Sequence, residues 1–108
     1  MTKRVIIPIY QVEKDYWQEH LNKNRGIRSV AAYSMILEGI KHWKEDVSFD
    51  EYLNVPTYPE TSLVYKVALL FDEEDEVYQI IEELRATQKM RRSKIARFFM
   101  FYDWRYRQ

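Results

Sequence analysis

"RVIIPIY", residues 4 to 10, decides how the whole chain is read. It is short, apolar and rich in β-branched side chains, which suit a pleated strand better than a helix. Pro8 has no N–H to donate to a ladder, so the strand belongs at an edge or in a ribbon. A second such stretch, "VYKVALLF" at residues 64 to 71, alternates with the period of a strand. Two helical patterns follow each of them, so the chain reads as strand, helix, turn, helix, and then the same again.

The helices are read from apolar spacing. From about Val12 to Asn24, Tyr16, Trp17, His20 and Leu21 recur at intervals of three and four, and Gly26 is expected to end that helix. A second helix begins near Arg28 and Ser29, whose hydroxyl can cap free amides. It carries Tyr33, Ile36, Leu37, Ile40 and Trp43 on one face. After the second strand, Asp72 with Asp75 starts a helix over about residues 73 to 85, with Val77, Ile80, Ile81 and Leu84 as its stripe. "QKMRR" makes a turn, and Ser93 starts a last helix with Ile95, Ala96, Phe99, Met100 and Trp104 inward. Phe98, Phe101, Tyr102 and Tyr106 cannot all point inward from one continuous helix. Some of them are therefore expected to meet another chain or the connector.

The fold class expected is mostly α with a two-stranded antiparallel β-ribbon. A strand-helix-helix unit of about 45 residues cannot bury its apolar faces alone. Residues 1–44 and 62–108 are accordingly two units of one shared core, joined by an acidic, Pro-containing connector at 45–61. Within the connector "SFDE", Ser48 to Glu51, matches a capping box and predicts a short helix.

The chain has 108 residues and no cysteine, which leaves neither a disulfide framework nor a thiolate metal site. No run of about 18 apolar residues and no secretory pattern is present, so the expectation is a cytoplasmic protein without a membrane partner. The formal net charge of zero hides opposed patches. Residues 45–61 carry five acids and no base, and residues 62–84 seven acids against Lys66. Residues 85–108 carry eight Lys or Arg against Asp103 alone. A basic surface of that kind attracts phosphate although the whole chain is neutral.

"RVIIPI" with the helix after it and "GIRSVAAYSMILEGI", and then "MRRSKIARFFMFY", resemble the ribbon-helix-helix (MetJ/Arc/CopG) superfamily in two tandem copies. "RSVAAYSMILEGI" (28 to 40) set over "RSKIARFFMFYDW" (92 to 104) keeps Arg-Ser and much of the apolar spacing. The resemblance implies an intramolecular pseudo-dimer whose two strands form one ribbon in the major groove of double-stranded DNA, with the helices as core. It also implies that the start of each second helix grips a backbone phosphate.

Alternation along the ribbon turns Val5, Ile7, Ile9, Val67, Leu69 and Phe71 toward the helices. It turns Arg4, Ile6, Pro8, Lys66, Ala68 and Leu70 outward. The base-facing candidates are Arg4, Ile6, Lys66 and Ala68; Arg4 and Lys66 can donate to base edges, and apolar side chains can touch a thymine methyl. The phosphate candidates are Arg28, Ser29, Arg91, Arg92 and Ser93, at helix starts where amides and dipole favour an anion. No Gly-rich phosphate loop, activated nucleophile or catalytic carboxylate pair stands out, so neither an enzyme nor a cofactor is expected. His20 and His42 lack ligand spacing, and "DEEDE" (72 to 76) suits a helix start better than a metal. The expected function is a small DNA-binding transcriptional regulator or plasmid or phage accessory factor. The alternative is a phage- or plasmid-type protein-interaction module or inhibitor, using the apolar ribbon and the surplus aromatics on a protein partner or in self-association.

Overall fold

The computed structural model describes residues 2–46 and 52–107. Strand β1 (Thr2–Tyr10) and strand β2 (Leu63–Asp72) pair antiparallel as a two-stranded sheet, both longer than the sequence predicts. Thr2 lies opposite Asp72, Val5 opposite Leu69 and Ile9 opposite Tyr65, with an irregularity between Ile9 and Tyr10. Both strands of a ribbon are edges, which is where Pro8 is tolerated. Val5, Ile7, Ile9, Val67, Leu69 and Phe71 are buried, and their neighbours along each strand face away from the helices.

A 3-10 turn at Gln11–Glu13 precedes helix α1 (Lys14–Lys23), so the helix starts later than the expected Val12, which is exposed. Gly26 does not end it alone. Arg25 already takes the left-handed conformation (φ 58°) ahead of Gly26 (φ 75°). The Gly26 N–H donates to Leu21 O at 2.9 Å and the Arg25 N–H to Asn22 O at 3.3 Å, which closes the last turn.

Helix α2 (Arg28–Asp46) buries Ala31, Ala32, Met35, Ile36, Gly39, Ile40 and Trp43, while Leu37, expected inside, is 49% exposed. Gly39 explains the rotation. A Cβ there would lie 1.8 Å from the Phe99 carbonyl oxygen, so this helix meets its neighbour backbone to backbone at a glycine. The contact face therefore runs through small residues that an apolar count passes over.

Helix α3 (Glu76–Gln88) starts after the expected Asp72: Asp75 is its N-cap, and its carboxylate accepts from the Val77 N–H at 2.8 Å. The Tyr33 hydroxyl donates to the same carboxylate at 2.8 Å, tying α2 to the start of α3. Val77, Ile80, Ile81 and Leu84 are buried as the spacing predicts, with Tyr78 beside them.

The basic-aromatic segment departs most from expectation. It forms two helices, α4 (Arg92–Met100) and α5 (Tyr102–Tyr106), because the chain leaves helical geometry at Phe101 (φ −109°, ψ 13°). Every residue from Ile95 to Tyr102 is buried. Helix α4 has neighbours on several sides: α2, α3 and β1 all pack on it. The surplus of aromatics is thus absorbed within the chain: Phe98, Phe101 and Tyr102 are inside, Trp104 is partly buried, and Tyr106 alone of these is exposed. Of the aromatics expected to meet another chain or the connector, only Tyr106 is left open to solvent.

Buried side chains from Val5 to Tyr102 form one core cluster. Leu53 of the connector joins it, and its N–H donates to Gln88 Oε1 at 2.8 Å. The helix predicted at Ser48 to Glu51 lies outside the described residues. Among the described residues no helix is long and apolar enough to cross a membrane.

Candidate nucleic-acid interface

The outward face of the ribbon is built by strand alternation alone. Arg4, Ile6, Lys66 and Ala68 all lie on it and are exposed, Ile6 at the margin with 37%. Arg4 sits opposite Leu70, Ile6 opposite Ala68 and Pro8 opposite Lys66, so two long cations stand near opposite ends of an apolar strip. Leu70 is 66% exposed at its edge. Thr2 was missed from sequence because the strand begins earlier than its β-branched run; it adds an exposed hydroxyl to this face.

The helix starts are not ordinary serine caps. Arg91 is the N-cap of α4 and no side chain caps it, while Ser93 lies inside the first turn. The Lys94 and Ile95 N–H groups both donate to Arg91 O at 3.1 Å, which leaves only the Arg92 and Ser93 amides at the start of α4 to face an anion. Ser29 occupies the same second position in α2 and is exposed. The Arg28 guanidinium stacks over the Tyr65 ring, 4.2 Å from its centroid, which holds the cation at the ribbon edge.

The cations of the basic segment separate into two groups. Arg92, expected to face a phosphate, donates to Glu82 and is thereby tied to α3. The Arg92 bond is the main reason the Glu82 carboxyl is held down to about 2. Arg85 also pairs with Glu82, Arg97 and Arg105 with Glu13, and Arg107 with Asp46 and Glu45. Among the described residues Lys89, Arg91 and Lys94 pair with no acid. Glu13 gave no sequence signal, since a carboxylate within an amphipathic pattern reads as solvated; it is fully buried.

The histidines do not converge on a metal site. His42 Nδ1 lies 2.7 Å from Asp103 with Glu38 on its other side, whereas His20 packs on Tyr16 and burial lowers its pKa. Among the described residues no group of three or more metal-ligating side chains is present. No protein-family model matches the chain, and neither a curated protein nor a solved structure does.

Proposed function

We propose that the chain is a tandem ribbon-helix-helix protein, paired with itself, that binds double-stranded DNA through the outward face of its ribbon. The pairing is supported by a constant interval. Arg25 and Lys89 are the two left-handed non-glycine residues, 64 positions apart (89 − 25) among the described residues. The same interval separates the first residues of α2 and α4, Arg28 and Arg92. It also separates Val5 from Leu69, which face each other in the ribbon, so a two-fold axis relating the halves would pass between them.

The observation that carries the function is the ribbon face itself: Arg4, Lys66 and Thr2 offer donors around an apolar strip, flanked by Arg28 and Arg91 at helix starts. A two-stranded ribbon fits the major groove, Arg and Lys suit guanine edges, and Ile6, Ala68 and Leu70 suit thymine methyls. Because the strands differ in sequence, one chain covers a site that need not be palindromic. The role is that of a transcriptional regulator or plasmid or phage accessory factor, with no catalytic step.

A mobility-shift series on random duplex at rising salt tests the reading. Binding at low salt that weakens steeply with salt supports it; no shift at any salt rejects it. The exposed Leu70 favours one second reading, a protein partner docking on the ribbon. In that case Leu70→Glu abolishes complex formation while the fold survives.

A further inference from the structure

Three cations of the basic segment that pair with no acid among the described residues, Lys89, Arg91 and Lys94, all line one groove, and Lys66 reaches the same space from the ribbon. The groove has a volume of about 660 Å³, within the range of roughly 300 to 1,000 Å³ usual for small-molecule sites. It runs between the start of α4 and the connector. Among the described residues its lining carries one acid, Glu60, against these four cations. Like charges gathered without a counter-ion repel, so an anion of several charges is the natural occupant.

Tyr10, Tyr52 and Tyr58 line the same groove. Tyr52 is 69% exposed with its ring open to a stacking partner. Tyr58 packs on Tyr10 at 5.4 Å between ring centroids, and its hydroxyl accepts from Arg105 Nη2 at 2.7 Å. Arg97, only 5% exposed, is at the base, its guanidinium 4.9 Å from the Tyr10 centroid and its Nε without a partner. A fixed floor, a ring wall and a cationic wall match a planar base joined to a chain of phosphates.

We propose that this groove binds a free nucleotide, with the base against Tyr52 and Tyr58 and its phosphates on Lys66, Lys89, Arg91 and Lys94 with the α4 amides. A duplex lies across the ribbon and is too wide to enter a pocket of this size. The groove overlaps the proposed DNA surface at Ile6, Lys66 and Arg91, so nucleotide and duplex compete.

Calorimetry on the full chain, with ATP, tripolyphosphate and adenosine as separate probes, tests it. ATP should bind more tightly than either fragment. The double variant Arg91→Gln with Lys94→Gln should lose about tenfold or more in ATP affinity. Tyr52→Ala should weaken ATP but leave tripolyphosphate unchanged, and equal unfolding midpoints would show that both variants fold. The proposal is overturned if ATP at ~1 mM gives no binding, if tripolyphosphate binds as tightly as ATP, or if the substitutions change nothing. Should the double variant lose duplex binding while the native chain takes no ATP, the cations serve DNA alone; this proposal then fails and the DNA reading stands.

Discussion

Arg97 Nη2 donates to Glu13 Oε2 at 3.1 Å, a bond that joins the turn after β1 to α4 with both side chains buried. Arg105 Nη2 reaches the same oxygen at 3.4 Å, so one carboxylate holds two guanidiniums. Neutralising it strands two cations away from water. Glu13→Gln is expected to cost about 3 to 5 kcal/mol, the range for breaking a buried pair, read as a lower denaturant midpoint. An unchanged midpoint would mean that water reaches the pair.

Gly39→Ala distinguishes close backbone contact from ordinary helix packing. In an exposed helix the change stabilises by roughly 0.5 to 1 kcal/mol. Here the new methyl would meet the Phe99 carbonyl, which cannot move without shifting α4. A loss of about 1 to 3 kcal/mol or more is expected. Thermal unfolding gives the sign directly.

Acid should weaken the α3–α4 junction in a definite window. The Glu82 carboxyl is held at about 2, first by Arg92, below its ordinary value of about 4.3. A depressed carboxylate stabilises above its unfolded value, and that contribution is lost as pH falls toward the folded one. Glu82→Gln should lower the unfolding midpoint at neutral pH and flatten its fall between pH of about 4 and about 2. Asp46, also held at about 2 by Arg107, should keep part of the slope.

The ribbon was legible because alternation needs only the period of two, and every inward and outward assignment from Val5 to Phe71 holds. The α3 stripe was legible for the same reason with a helical period. Leu37 was misplaced because the true face of α2 passes through Ala32 and Gly39, and close approach leaves no hydrophobic mark on a sequence. The aromatic excess was misread because helix α4 is enclosed from several sides, a property of tertiary position that a one-face pattern cannot express. The outward placement of Arg4 and Lys66 was legible from alternation. The pairing of Arg92 with Glu82 joins different helices, and only the folded chain separates that tied cation from the free Arg91.

That separation gives a prediction for DNA binding. Arg91→Ala and Arg28→Ala should each reduce the slope of log affinity against log salt by about 1, weakening all sequences alike. Arg92→Ala should leave the slope nearly unchanged and instead lower stability, since its charge is already met by Glu82. Anisotropy titrations of a labelled duplex at several salt concentrations read both effects.

Selection from a pool of random duplexes tests the central claim most directly, because it asks whether the ribbon face reads sequence. The account expects the native chain to enrich a non-palindromic site containing guanines and thymines. Arg4→Ala with Lys66→Ala should still bind DNA yet lose that preference, by about 1 to 3 kcal/mol for each good base contact. If the native chain enriches no site at low salt, or if the double variant enriches the same site equally well, the ribbon does not read DNA.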